Sequence, residues 1–256
     1  MERRHHSRVA TVVRFVAARL DPKAYLGLHV TVGLGITGLA LWAFGALLEE
    51  VLDNATVVRL DVAAMAWVQS RVTPFGLRVF GIITRLGDAP VLPVIAVVGA
   101  FVLWRQRRRL LLACWMSAFV GGVVFNTLVK LLVHRGRPAL PPDRVPFASF
   151  SFPSGHTMAA TIGYGMLAYV VAVYWRPRRI RRRFIGLAAA GLAFLVGFSR
   201  VYLGAHFPTD VLGGFAAGAA WLAICVTGTR IARQTPAVVP EARDPERVQG
   251  TRAGDA

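Results

Sequence analysis

Long uncharged apolar runs alternate with charged connections along this chain. Leu26 to Leu48, Leu110 to Val129, Thr157 to Trp175 and Val211 to Thr229 contain no Asp, Glu, Lys or Arg. Each approaches the roughly 20 residues that a helix needs to cross the hydrocarbon core of a bilayer. Two shorter runs, Ala89 to Trp104 and Phe184 to Ser199, reach spanning length when extended by a few residues or where the bundle is thin. The pattern predicts an all-α integral membrane bundle of six transmembrane helices. Between residues 55 and 80, Val58, Val62, Met65, Trp67 and Val68 form a part-apolar pattern bounded by Pro74. It predicts a surface helix, on the outer side, too charged to span.

The flanks read differently. In residues 1–24, Val9, Val12, Val13, Val16 and Leu20 recur at near-helical spacing among arginines. That segment reads equally as a helix lying on the inner membrane surface and as a flexible basic tail. From Gln234 the chain turns polar and gains prolines, the composition of a disordered tail. No internal repeat and no second soluble domain is visible. The expected organisation is a basic cytoplasmic N-terminal segment at 1–24, a six-helix transmembrane domain at 25–230 and a disordered cytoplasmic tail at 231–256.

Charge settles orientation. The 256 residues are 55% hydrophobic and 17% charged, with a formal net charge of +17. So basic a chain could bind nucleic acid, but its arginines cluster in every second connection. Arg3, Arg4, Arg8, Arg14, Arg19 and Lys23 precede the first run, and Arg105 and Arg107 to Arg109 separate the second from the third. Six arginines between Arg176 and Arg183 separate the fourth from the fifth, and Arg230 and Arg233 follow the sixth. The other connections mix signs. By the positive-inside rule both termini are cytoplasmic and the connections after Glu49, His134 and Arg200 face outward. The charge therefore reads as topology, and no nucleic-acid partner is expected. The first apolar run is too long for a cleaved signal core and reads as a retained anchor. Cys114 and Cys225 fall inside spans without metal-ligand spacing and read as buried small apolar residues.

Polar groups at membrane depth are costly and mark function. Three sets stand out, all on the predicted outer side: Lys130 to Pro138 (KLLVHRGRP), Phe152 to His156 (FPSGH) and Ser199 to Asp210 (SRVYLGAHFPTD). Lys130, Arg137 and Arg200 offer three cations, two with planar forks suited to a tetrahedral oxyanion. Ser154 is placed to cap the fourth span, and Gly155 lets backbone approach a ligand at the positive end of that helix. Only two of the 30 basic residues are lysines, Lys23 and Lys130. Lys130 alone would read as a snorkelling side chain; beside Arg137 and PSGH it reads as a point contact to a phosphoryl oxygen.

His206 and Asp210 stand four residues apart around Pro208, which suits the first position of the sixth helix. Asp210 can then fix the His206 tautomer and free the other ring nitrogen for attack. His156, opening another helix, can protonate a leaving oxygen and later activate water. His5 and His6 sit in the basic tail, His29 is isolated in the first span, and His134 lacks an orienting acid, although it could still touch a substrate.

These residues resemble the type 2 phosphatidate phosphatase superfamily, which also includes vanadium-dependent haloperoxidases. Its signature is K-x6-RP, then PSGH, then SR-x5-H-x3-D. Lys130 with Arg137 and Pro138, Pro153 to His156, and Ser199, Arg200, His206 and Asp210 match every part. The helix pattern extends the resemblance over residues 25–230. It implies a membrane lipid phosphatase in which His206 forms a phosphohistidine, Asp210 supports it and His156 is the general acid and base. Lys130, Arg137, Ser154, Gly155 and Arg200 would bind the phosphoryl group, with no metal and no other cofactor. The implied substrates are undecaprenyl pyrophosphate, the first choice, phosphatidylglycerol phosphate and phosphatidate, met at the outer face of a bacterial inner membrane. Phe147, Phe150 and Phe152 would lie beside the site. The competing readings are phosphotransfer onto a membrane glycolipid and a non-catalytic lipid-phosphate binding or translocating protein; six spans speak against a haloperoxidase.

Overall fold

The computed structural model describes residues 25–88, 90–138, 149–175 and 177–233, and the side chains among these from residue 30 onward. The expectations for residues 1–24, for Phe147 and for the tail beyond residue 233 lie outside the described residues. The described residues form helices α1 (Tyr25–Asp53), α2 (Ala55–Gln69), α3 (Pro74–Thr84), α4 (Val91–Arg105), α5 (Arg109–Val133), α6 (Gly155–Tyr174), α7 (Arg179–Tyr202) and α8 (Pro208–Ala232). No strand occurs among them. Six stretches are long and apolar enough to cross a membrane, as the apolar runs predict.

Helix boundaries follow local chemistry. Asn54 caps α2, its Oδ1 accepting the N–H groups of Thr56 and Val57 at 2.9 and 3.4 Å. Thr73 caps α3 through a 3.0 Å bond from the Gly76 N–H, with Pro74 at the first position. A cap followed by proline is a strong restart signal. It separates the surface helix, whose apolar pattern Pro74 was expected to bound, from the next one: α2 stays at the surface, while α3 packs on α7. There the Phe80 ring lies 4.4 Å from Tyr202 and 5.3 Å from Phe198. A 3-10 turn at Arg85–Gly87 separates α3 from α4, so the second candidate span, Pro74–Arg105, is a broken one.

Helix α6 sits centrally, packed by α4, α5, α7 and α8, while α1 lies along α8. The core comprises Trp115, Phe152, Met158, Ile162 and Met166 with Phe44, Leu103 and Ala118. The indole N–H of Trp115 donates to the Ala96 carbonyl at 2.8 Å, so its polar edge is satisfied inside the bundle. Outward, Trp42, Phe101, Trp104, Leu132 and Leu187 are exposed. Such a surface is stable only against lipid. Cys114 joins the core and Cys225 is half-buried, as small apolar residues would be.

Small residues let α6 and α8 approach closely, the usual device where no hydrophobic effect drives helices together. A Cβ at Gly214 would lie 2.8 Å from the Ser154 carbonyl oxygen and 2.9 Å from Thr157 Cβ. The close approach brings the start of α6 against the start of α8, where the polar groups gather.

Candidate active site

Three chain turns deliver the polar side chains to one end of the bundle. Helix α5 stops at His134, which takes the left-handed conformation at φ 52° and ψ 26° and donates its N–H to the Lys130 carbonyl. This reversal aims the following residues, Arg135 and Arg137, back across the end of the bundle. The His134 ring packs edge-on against Phe150 at 4.4 Å. After Tyr202, Gly204 at φ 73° turns the chain so that the Ala205 N–H reaches the Arg200 carbonyl at 2.9 Å, placing His206 just before Pro208. Glycine adopts such a φ more readily than a residue with a Cβ.

His206 is 1% exposed and lies between two charged groups of opposite sign. Arg137 Nη1 approaches Nε2 at 3.2 Å while also donating to the Ala205 carbonyl at 2.8 Å. Its Nε and Nη2 bind the carbonyl and hydroxyl of Ser149 at 2.7 and 3.0 Å. A guanidinium can only donate, so Nε2 accepts and the ring proton resides on Nδ1. Nδ1 faces Asp210 Oδ2 at 3.5 Å and the Ser151 hydroxyl at 3.4 Å. Burial pushes the imidazole down to about 3, the nearby Asp210 offsetting part of the effect and Arg137 and Arg200 adding to it. His206 is therefore neutral at physiological pH, with its Nε2 lone pair directed at a cation. Burial likewise draws Arg137 below the usual guanidinium range, against the pull of the Asp210 charge.

Asp210 is fully buried, and both of its side-chain oxygens accept hydrogen bonds. Oδ1 accepts from Arg135 Nη1 at 2.6 Å; Oδ2 accepts the Phe207 N–H at 2.9 Å and the Ser151 hydroxyl. Ser154 donates its backbone N–H to the Asp210 carbonyl at 2.9 Å, tying α6 to α8. It stands at the N-cap position of α6, but its side chain makes no capping bond and instead accepts from the Thr157 hydroxyl at 2.9 Å. The expected cap is thus replaced by a hydroxyl with its own proton still to donate. Gly155 packs against α5: a Cβ there would lie 3.1 Å from Asn126 Oδ1, a tight contact, and 3.9 Å from Lys130 Cε, an ordinary one.

His156 Nε2 lies 3.5 Å from Asp88 Oδ2, so each histidine has its own carboxylate. Lys130 Nζ donates to the Phe150 carbonyl, and Arg200, 5% exposed, donates to Thr84 Oγ1 at 2.8 Å. The structure brings Lys130, Arg137, Ser154, Gly155, His156, Arg200, His206 and Asp210 to the same end of the bundle. Beside them it places Asp61, Asp88, Arg135, Ser149 and Ser151, which the sequence did not single out. Arg135 stands two residues before Arg137, a signal that was present; Asp61 and Asp88 read only as loop charges.

A family model described as the PAP2 superfamily matches residues 109–233. Phosphatidylglycerophosphatase B of Bacillus subtilis (strain 168) is 33% identical over 183 residues, covering 70% of this chain and 88% of that protein. The chain belongs to the PAP2 superfamily. Undecaprenyl-diphosphatase BcrC of the same organism is 36% identical over 98 residues, 37% of this chain and 45% of that protein. The crystal structure of the transmembrane PAP2 type phosphatidylglycerolphosphate phosphatase from Bacillus subtilis superposes with a TM-score of 0.66 at 29% identity, covering 79% of this chain and 98% of that one. Within this PAP2 protein, Lys130 through Asp210 fall inside the matched residues, whereas Asp61 and Asp88 precede them.

Proposed function

We propose that this protein is a membrane lipid phosphatase that hydrolyses a phosphomonoester or pyrophosphate of a lipid through a phosphohistidine at His206. The observation that carries the reading is the neutral, buried imidazole whose Nε2 faces the Arg137 guanidinium at 3.2 Å. A phosphoryl group displacing that contact would take Arg137 as a ligand and meet the Nε2 lone pair behind it. Lys130, Arg200 and the start of α6 supply the remaining positive potential.

Attack forms the Nε2–phosphorus bond and breaks the bond to the leaving oxygen, which takes its proton from His156. Water then gives a proton to His156 and attacks phosphorus, forming the new O–P bond as the Nε2–phosphorus bond breaks, which releases inorganic phosphate and restores His206. The Nδ1 proton stays throughout, and Asp210 balances the cationic ring.

A cleft of about 560 Å³ runs from Asp88, Gly155 and His156 past Asn126 between Phe119, Val123, Met158 and Ile162. Its polar end meets a general acid and its walls are apolar, the shape of an amphiphile. Phosphatidylglycerol phosphate and undecaprenyl pyrophosphate, the lipids named for the relatives, and phosphatidate are the candidate substrates. The arginine distribution favours a bacterial inner membrane with both termini cytoplasmic and the site outside.

The test is phosphate release by the purified protein across a panel of these lipids, with acid-quenched labelling of the enzyme. Wild type should release phosphate and trap an acid-labile phosphoenzyme. His206→Ala should do neither, and His156→Ala should trap it only from a good leaving group. Turnover by His206→Ala at near-wild-type rate, or no turnover of any lipid by wild type, overturns the reading. Transfer to a glycolipid in preference to water would assign a phosphotransferase instead.

A further inference from the structure

Asp210 is the buried charge on which the nucleophile depends, yet its shortest charged partner is Arg135, not His206. Arg135 splits its fork between two carboxylates: Nη1 binds Asp210 Oδ1 at 2.6 Å and Nη2 binds Asp61 Oδ2 at 2.7 Å. The guanidinium carbon lies 4.7 Å over the ring of Phe207, the residue after the nucleophile. Edge and face are both engaged, so Arg135 has one orientation. Asp61, 3% exposed, is itself occupied: Oδ1 accepts the Thr209 N–H at 3.2 Å and Oδ2 accepts the Thr209 hydroxyl. Thr209 lies in the first turn of α8, so Asp61 reaches from another helix to the positive end of the helix that carries Asp210.

Helix α2 is fastened at its other end too. Gln69 donates to the carbonyls of Val201 and Tyr202 at 3.4 and 3.1 Å, and Met65 packs with Val201 and Val211. One face of α2 thus bridges the two flanks of the His206 turn. Asp61 and Met65 are the buried residues of α2, and a carboxylate is buried at tolerable cost only when it is paired and hydrogen-bonded, as Asp61 is to Arg135 and Thr209.

We propose that Asp61 and Arg135 are positioning residues for the reaction, forming with Asp210 and His206 a line of alternating charge that α2 closes over the site. The proposal rests on His206 as nucleophile. Before attack the three charged groups sum to minus one. Once Nε2 carries the phosphoryl group and Nδ1 keeps its proton, the ring is cationic and the line becomes minus, plus, minus, plus. Without Asp61 the Arg135 charge falls wholly on Asp210, drawing it from Nδ1 and cancelling the field that the cationic ring needs. Neither residue touches substrate, so the loss appears in turnover and not in binding.

The experiment uses the full chain in detergent with whichever panel lipid it hydrolyses fastest. Asp61→Asn should lower kcat by about 10- to 100-fold, the range for removing an orienting partner, with less acid-trapped phosphoenzyme. KM should stay within about threefold, as for an interaction made in the transition state. Asp61→Glu should recover most of the rate, since it restores charge at slightly different reach. Should Asp61→Asn fail to fold, Arg135→Lys decides, keeping the charge without the fork: a kcat loss at unchanged KM supports the proposal. Turnover within about twofold of wild type in either folded variant overturns it, as does equal loss in Asn and Glu or a loss carried by KM. His206→Ala is measured alongside: if it turns over, the nucleophile reading fails; if it is inactive while folded Asp61→Asn turns over within about twofold of wild type, only this proposal fails.

Discussion

Arg137 holds the Nε2 atom of His206 at 3.2 Å, so the nitrogen proposed to attack phosphorus is occupied by the group that would bind the phosphoryl oxygens. The same guanidinium is braced by Ser149 and by the Ala205 carbonyl. Cation and proposed nucleophile are thus registered to each other before any substrate arrives.

From this follows a result for Arg137→Lys. An ammonium keeps the charge but cannot span Ser149, Ala205 and Nε2 together. It should lose about 100- to 1000-fold in kcat/KM, the cost of deleting one preorganised donor. A lysine variant within about tenfold of wild type would show that charge alone suffices, and that the fork geometry does not matter.

The depressed His206 gives a signature in stability. Its ordinary value is 6.5 and its folded value about 3. Between these two pH values the unfolded chain binds a proton that the folded protein does not, so stability falls as pH drops from 6.5 toward 3. His206→Asn removes that proton from both states. Thermal unfolding in detergent should therefore show wild type losing ground to His206→Asn on acidification. A gap between the two that is constant across that window would contradict a buried neutral imidazole.

The α6 to α8 contact is predicted to be intolerant. Gly214→Ala would put a methyl group 2.8 Å from the Ser154 carbonyl, which is backbone and cannot rotate away. Helix α6 must then shift and carry Ser154, Gly155 and His156 with it. Overpacking of this kind costs about 1–3 kcal/mol. A lowered melting temperature together with lowered kcat/KM is expected; an unchanged value of either would mean that the start of α6 has slack.

Most of the bundle was legible in the sequence because lipid imposes length and apolarity on every span, and both are read residue by residue. The broken second span was not, because the turn at Arg85–Gly87 divides Pro74–Arg105, a stretch whose mean hydropathy hides the division. Within the candidate site, Lys130, Arg137, His156, Arg200, His206 and Asp210 could be singled out because each lies in a short local motif. Asp61, Asp88 and Ser151 were not, since they meet Arg135, His156 and Asp210 only through folding. Asp61 is 148 residues from Thr209, and no periodicity connects them.

Chelation should leave activity intact. The charges proposed to balance the transition state belong to Lys130, Arg137 and Arg200 and to the positive end of α6, none of which EDTA removes. Phosphate release with and without EDTA, after dialysis, measures this. Loss of turnover restored by a divalent ion would require a metal in the chemistry and replace the cationic cradle as the explanation.

Sidedness can be read at two described, exposed positions. Ser70 follows α2, whose Gln69 is bound to the Tyr202 carbonyl beside the site. Ile180 lies in the first turn of α7, and Arg200 at the far end of that helix belongs to the site. A helix of 24 residues is about 36 Å long, enough to cross the bilayer core. In a variant lacking Cys114 and Cys225, Ser70→Cys should react with a membrane-impermeant thiol reagent on intact cells. Ile180→Cys should react only after permeabilisation, the outcome expected where the positive-inside rule puts the Arg178 to Arg183 cluster in the cytoplasm. The reverse pattern would place His206 on the cytoplasmic side and restrict the substrate to lipid phosphates presented on the inner leaflet.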